Sequence, residues 1–196
     1  KHLDINAGLS QNHIMRILQD SRGFMWIGTR DGLNRYDGYS FTVYKHDPNN
    51  SQSLSHNFIS DIKEDSKGNI WIATRSGGLN HFDPQYGSFT RFNSNAASLN
   101  SLSSDLLTSL AIDAAGNVWI GTDGGGLNRF DPVNKKFTRY AANSKDNNSL
   151  ADNYVRCVYI DKQDNLWVGT FGGGLHRYNK SSNDFTRFGG KDKIAA

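Results

Sequence analysis

Four tryptophans, Trp26, Trp71, Trp119 and Trp167, recur at intervals of 45, 48 and 48 residues, each inside nearly the same phrase: GFMWIGT, GNIWIAT, GNVWIGT and DNLWVGT. A period of roughly 40 to 50 residues made of short apolar runs is the mark of a radial array of four-stranded sheets, a β-propeller. Most recurring residues then serve to build the blade. Function is to be sought where the repeats differ.

Alignment on tryptophan places blade 1 at residues 9–53, blade 2 at 54–101, blade 3 at 102–149 and blade 4 at 150–188, with 189–196 as a tail. Residues 1–8 are left over, and His2 to Ile5 reads as an extra N-terminal strand. Each repeat opens on a Leu-Ser-like step, such as Leu9-Ser10 or Leu54-Ser55, followed by a short apolar run. That run, Ile14 to Leu18 or Val155 to Ile160, predicts an innermost strand buried on both sides, because it lacks clean alternation.

An Asp-x-x-Gly step comes next, at Asp20 to Gly23, Asp65 to Gly68 and Asp113 to Gly116. Asp at the first position bonds the turn backbone and Gly accepts positive φ, so a hairpin is expected. The fourth copy has Asp164 where the others have Gly, and Asp tolerates that conformation. The second strand carries the tryptophan, expected to wedge between neighbouring blades. Gly28, Ala73, Gly121 and Gly169 follow it and are small because another backbone or ring should lie over them. The third strand reads Gly-Leu-x-x-(Tyr/Phe), and the fourth Phe-Thr-x-(Tyr/Phe), as at Phe41 to Tyr44 and Phe185 to Phe188. The first repeat is three residues shorter than the others, all in its turns, where length changes are tolerated.

Composition fits this reading and narrows the function. Only 36% of the 196 residues are hydrophobic but 12% are aromatic, so a few large rings per repeat supply the burial. The net charge of +3 is spread evenly with no basic block, which argues against nucleic acid as a partner. Cys157 is the only cysteine, so no intrachain disulfide forms; it is expected to be a buried, inert thiol. No apolar run reaches the roughly 18 residues of a membrane span. With neither signal peptide nor initiator Met, the chain reads as a processed or excised segment.

The string Leu-Ser-x-Asn, Asp-x-x-Gly, Trp-Ile-Gly-Thr, Gly-Leu-x-x-Tyr-Asp and Phe-x-x-Tyr, repeated four times, closely resembles the two-component regulator propeller repeat. The resemblance implies a periplasmic sensor region of a membrane-anchored bacterial receptor whose output is a histidine kinase, a hybrid regulator or a diguanylate cyclase. It implies a non-enzymatic segment, without cofactor, that takes ligands of carbohydrate type. Ectodomains of that family usually hold many more blades. This chain is therefore expected to be an all-β fragment of a larger propeller, with four four-stranded antiparallel blades, or half of an eight-bladed homodimer.

Gly124-Gly125-Gly126 and Gly172-Gly173-Gly174 lack the Lys-Ser/Thr and helix of a phosphate loop and read as hairpin turns. The Asp-x-x-Gly-Asn loops lack the alternating acids of a calcium loop. The six histidines show no ligand spacing, and His81 and His176 are expected at the surface. No serine sits in a nucleophile elbow. The residues expected to bind a ligand are those at which the repeats disagree while their neighbours agree: Arg30, Arg75, Asp123 and Phe171 after the Gly-Thr step, Arg16, Asp61 and Arg156 on the innermost strand, and Tyr154 after the cap. Aromatic, cationic and acidic groups set around a channel mouth can hold a sugar or a small anion. Two other readings use the same fold. One is a lyase similar to the streptogramin-cleaving propellers, which needs a metal and a histidine base. The other is a protein-interaction scaffold.

Overall fold

The computed structural model describes residues 2–188. It contains four antiparallel sheets of four strands, each with its strands in sequence order. The strands are β1 (Ile14–Gln19), β2 (Met25–Thr29), β3 (Gly32–Tyr36) and β4 (Phe41–Tyr44); β5 (Ile59–Glu64), β6 (Ile70–Thr74), β7 (Leu79–Asp83) and β8 (Ser88–Phe92); β9 (Leu107–Ile112), β10 (Val118–Thr122), β11 (Leu127–Asp131) and β12 (Lys136–Tyr140); and β13 (Val155–Ile160), β14 (Leu166–Thr170), β15 (Leu175–Asn179) and β16 (Asp184–Phe188). They fall into two compact units, one centred on β1 to β8 and one on β9 to β16. The expected tail, 189–196, lies outside the described residues. The strand expected at His2 to Ile5 is absent. Asp4 instead accepts hydrogen bonds from the Asn6 and Ala7 amides and caps a short 3-10 turn, Ile5–Ala7, which ends on Gly8 at φ 101°.

The Asp-x-x-Gly hairpins form as expected, with φ of 90°, 81° and 84° at Gly23, Gly68 and Gly116 and 60° at Asp164. Their aspartates do more than make turns. One oxygen of Asp20 accepts the Phe24 amide at 2.9 Å, while the other accepts the indole N–H of Trp26 at 2.9 Å. The same indole bond joins Asp65 to Trp71 at 3.0 Å, Asp113 to Trp119 at 2.9 Å and Asp161 to Trp167 at 2.9 Å. A buried indole must place its N–H on a partner, and the hairpin supplies one six residues upstream. The bond from Trp167, with those from Asn165, holds the Asp161 carboxyl down at about 2. At Asp20 burial opposes ionisation, but the bonds from Trp26, Phe24 and Arg22 outweigh it and leave the carboxyl below its ordinary range.

With its N–H satisfied, each ring can be used for packing. In the first unit Trp26 meets Phe82 of the next sheet edge-on at 5.2 Å and stacks on its own Tyr44 at 5.9 Å. In the second unit Trp119 meets Tyr178 at 4.8 Å and Tyr140 at 5.7 Å. These contacts centre two cores, one with Leu33, Ile59, Ile62 and Phe82, the other with Leu127, Val155, Val158 and Tyr178. The small residue after tryptophan clears the path. A Cβ on Gly28 would lie 2.6 Å from the Ile59 side chain, and one on Gly121 would lie 2.8 Å from Val155. What covers these glycines is therefore a β-branched side chain of the adjacent sheet.

A second recurring device links strand to connection. Arg91 donates to the carbonyls of Asn50, Ser53 and Leu54, Arg139 to those of Ser98, Ser101 and Leu102, and Arg187 to those of Asp146, Ser149 and Leu150. Each guanidinium fastens the segment that leads into its own sheet. The first repeat has Val43 at this position.

Three expectations need correction. Burial on both faces holds for β5 but not for β1, whose residues are largely exposed, nor for β13, where only Val155 and Val158 are buried. The first sheet covers β5 from one side, whereas β1 has no such neighbour in its unit. Cys157 lies on the face of β13 opposite the covered Val158 and is exposed rather than buried. His176 is not a surface residue but fully buried. It stands where the other repeats have Asn34, Asn80 and Asn128, whose side-chain oxygens accept the amides of Ser10, Ser55 and Ser103; its Nε2 accepts the Ala151 amide at 3.0 Å in the same way. His81 is half-buried, with its ring 4.5 Å from that of Trp71.

Two expected outcomes test these assignments. Asp20→Ala strands the indole N–H of a tryptophan that is 0% exposed and removes a turn bond, so urea unfolding should show a loss of about 2 to 4 kcal/mol. Asp161→Ala should cost less, because Trp167 is only half-buried and water can replace the acceptor. Burial also holds the His176 imidazole below its ordinary 6.5. The unfolded chain then takes up a proton before the folded one does. Stability should be full above pH 6.5 and fall as the pH drops from there towards the lowered folded value. His176→Asn keeps the acceptor for Ala151, and its melting temperature should fall less over that interval than the wild type's.

Candidate functional site

The residues singled out by their variability gather in two groups, one in each unit. In the second unit they form a cluster at the end of the strands where β10 meets β11 and β14 meets β15. Asp123 pairs as an isolated antiparallel bridge with Tyr154, and the Phe171 amide donates to the Tyr154 carbonyl at 2.8 Å. This backbone frame holds three side chains together. Arg156 Nη1 lies 3.4 Å from Asp123 Oδ1, and its guanidinium sits 4.8 Å over the Phe171 ring. Tyr154 and Phe171 stay 49% and 74% exposed, so two aromatic rings face solvent beside an oriented ion pair.

Local structure explains the placement. Val155 pairs with Thr170 and Cys157 with Gly169, so Arg156 between them is a β-bulge residue. A bulge leaves its residue out of the ladder and turns its side chain aside, here towards Asp123 and Phe171. Met15 and Ser60 occupy the same bulged position in the first unit. Asp152 fixes the neighbouring turn by accepting the Tyr154 amide at 3.0 Å and the Gly172 amide at 2.7 Å. The glycine runs have a structural cause, because a Cβ on Gly125 would lie 2.7 Å from Ser103 Oγ and one on Gly173 would lie 2.6 Å from Ala151 Cβ. They are hairpin turns pressed against the entering chain. Gly124 leaves room for the Tyr154 ring, 3.5 Å from where its Cβ would stand.

The first unit holds Arg16, Arg30, Asp61 and Arg75. Arg16 Nε lies 3.2 Å from the buried carboxylate of Asp61, and Arg30 sits 5.4 Å over the Phe58 ring. The Arg75 amide donates to the Phe58 carbonyl at 2.9 Å. Phe58 occupies the position of Tyr154. In both units the residue after the Gly-Thr step meets the post-cap aromatic of the next sheet. The bulge was missed; its only trace in the sequence is the small residue that pairs just after it.

Two recesses lie elsewhere. One of about 580 Å³ sits among Ser21, Arg22, Lys67, Asn69 and Gln85, and one of about 200 Å³ among Trp119, Arg129, Tyr178 and Lys180. Both are at the Asp-x-x-Gly end, the opposite end of the second strand from the clusters. Their polar groups are largely bonded to one another, Arg22 to Asp20, Ser21 to Glu64 and Lys180 to Asp164. Such recesses are by-products of the turns. Among the described residues no group of three or more His, Cys, Asp or Glu side chains converges as a metal centre, and no helix is long and apolar enough to cross a membrane.

Four similar sheets built on an Asp–indole hairpin, with variable residues collected at one strand end, define a β-propeller segment. The family model for the two component regulator propeller matches residues 8–31, 53–76, 101–124 and 149–172, once in each repeat. The chain belongs to that family. Over 47 residues it is 49% identical to Histidine kinase P4 of Formosa agariphila, a stretch that covers 24% of this chain and 3% of the kinase. Among solved structures it is similar to the extracellular domain of a protein described as a hybrid two component system of B. thetaiotaomicron, with TM-score 0.70 and 28% identity over 95% of this chain and 31% of that one. Virginiamycin B lyase of Staphylococcus aureus shares the fold, with TM-score 0.67 at 14% identity over 90% of this chain and 55% of the lyase. The chain thus spans about a third of the first of these structures and a far smaller share of the kinase.

Phe171 is held out in water and contributes little to either core. Phe171→Ala should therefore change the free energy of unfolding by no more than about 0.5 kcal/mol in urea titration.

Proposed function

We propose that this chain is a non-catalytic sensing segment from the periplasmic part of a bacterial two-component-type receptor, and that it binds a small polar ligand of carbohydrate type at Asp123, Tyr154, Arg156 and Phe171. The observation that carries the reading is the Arg156 guanidinium, fixed between the Asp123 carboxylate and the Phe171 ring with Tyr154 exposed beside it. Aromatic faces suit the C–H surface of a sugar ring, and a fixed donor–acceptor pair suits its hydroxyls. Arg16, Asp61, Arg30 and Arg75 form the corresponding surface of the first unit, richer in positive charge. Family membership and the likeness to a two-component extracellular domain support the placement outside the cytoplasm. In a membrane-anchored receptor, a ligand that prefers one arrangement of the ectodomain would shift the population of signalling states.

The test is a thermal-shift panel of neutral and acidic oligosaccharides, with mass analysis of each sugar after incubation. At about a hundred times its Kd a ligand stabilises the folded state by about 2.7 kcal/mol, which is readily seen as a higher melting temperature. The shift should vanish in Phe171→Ala and Arg156→Ala, and the sugar should be recovered intact. Absence of any shift, a shift unaffected by both substitutions, or cleavage of the sugar would overturn the reading.

A further inference from the structure

We propose that the first unit carries a binding site of its own, formed by Arg16, Arg30, Phe58 and Ser60, and that it takes the carboxylate or sulfate group of an acidic saccharide. The proposal rests on the reading above of the variable positions as a ligand surface, and adds the charge of the ligand.

The two units use one frame for different chemistry. In each, the residue after the Gly-Thr step of one blade meets the post-cap residue of the next: Arg30 lies over Phe58, and Asp123 bridges to Tyr154. In each, the second of the two blades adds a bulged residue from its innermost strand. Ser60 stands between the Ile59–Thr74 and Asp61–Ala73 pairs, as Arg156 stands between the Val155–Thr170 and Cys157–Gly169 pairs. The second unit neutralises itself, because the Arg156 guanidinium lies against the Asp123 carboxylate. The first unit does not. Arginine replaces the acid there, and serine replaces the long cation.

The surroundings of Arg30 leave its charge unanswered. Its guanidinium is exposed, packs 5.4 Å over the Phe58 ring and makes no ion pair with a described residue. Asp31, its neighbour in the chain, is turned instead to Lys45 Nζ at 2.6 Å and Asn57 Nδ2 at 3.2 Å. Arg16 donates from Nε to Asp61 at 3.2 Å and from Nη1 to the Met15 carbonyl at 2.9 Å, which leaves its Nη2 without a bond among the described residues. Both arginines thus reach the same short segment, 58–61, one through Phe58 and one through Asp61. Within that segment Ser60 is 8% exposed and its hydroxyl has no hydrogen-bond partner. A buried donor left unmade is a cost that folding does not recover. An anion held by the two guanidinium groups supplies the missing acceptor, in charge-assisted bonds that a neutral sugar cannot match, while the Phe58 ring offers a face to the sugar itself.

Isothermal titration calorimetry at low chloride, without phosphate or sulfate in the buffer, tests this with two matched pairs: trigalacturonate against its methyl ester, and 6-sulfated galactose against galactose. Sodium sulfate serves as the free anion. In at least one pair the acidic member should bind about tenfold tighter or more, the effect of one charge-assisted hydrogen bond. Arg30→Gln should abolish that preference. It is the position to change, because Arg16 is needed by the buried carboxylate of Asp61. Ser60→Ala should weaken acid binding while leaving the melting temperature unchanged or higher, since the fold makes no use of that hydroxyl. Equal binding of acid and neutral partner would overturn the proposal, as would a preference that survives Arg30→Gln or Ser60→Ala, or sulfate bound as tightly as the sulfated sugar. Phe171→Ala separates this site from the one proposed in the second unit. Acid binding lost in Phe171→Ala but kept in Arg30→Gln refutes the present proposal alone. Acid binding through Arg30, with no shift for any neutral sugar, refutes the neutral-sugar reading alone.

Discussion

The fold depends on a hydrogen bond between a hairpin aspartate and the indole six residues later. A tryptophan offers the largest apolar surface of any side chain, but its N–H cannot be left unpaired in a dry interface. By closing the turn with one carboxylate oxygen and taking the indole with the other, each aspartate makes the hairpin and the inter-blade wedge one unit. The ring orientation then dictates the rest. The residue two positions on must be small, because Ile59 or Val155 comes down on it. The next sheet must offer an aromatic residue in its third strand, as Phe82 and Tyr178 do. A blade is therefore incomplete by itself, and its burial comes from the neighbour.

Because the scaffold is secured locally, a few positions are released from structural duty. The residue after the Gly-Thr step, the bulged residue of the innermost strand and the post-cap residue meet at one end of the strands without entering a core. Arginine, aspartate, tyrosine and phenylalanine can replace one another there while the sheets stay the same. The cluster of Asp123, Tyr154, Arg156 and Phe171 leaves two rings in water, which folding alone does not require. That cost to solvation is what supports the proposal of a ligand site there.

Repeats also depart from one another within the scaffold. His176 accepts the amide that Asn34, Asn80 and Asn128 accept elsewhere, at the cost of a buried group able to titrate. The first blade closes its second hairpin with the two residues Arg30 and Asp31, pairing Thr29 directly with Gly32, where the others use a longer glycine turn. Val43 replaces the arginine that in the other blades fastens the incoming segment. None of these changes touches the aspartate–tryptophan pair.

The period, the hairpins and the place of each strand were legible in the sequence because they rest on interactions between residues close in the chain: Asp20 with Gly23, Gly23 with its positive φ, alternation along a strand. The positions of the candidate site were legible too, as columns in which the repeats disagree. The partners were not, because Arg156 meets Asp123 and Phe171 only after a bulge turns it and two sheets are brought side by side. The burial of His176 and the exposure of Cys157 were likewise misjudged, since a residue's surroundings are set by segments distant in sequence, and an innermost strand is covered only where a neighbouring blade lies against it. The sequence by itself determined the blade and its repetition, through local turn chemistry and the indole's need for an acceptor. Tertiary structure alone decided which faces are covered, which charges pair and which rings remain in water, because each of those depends on where a second blade comes to rest.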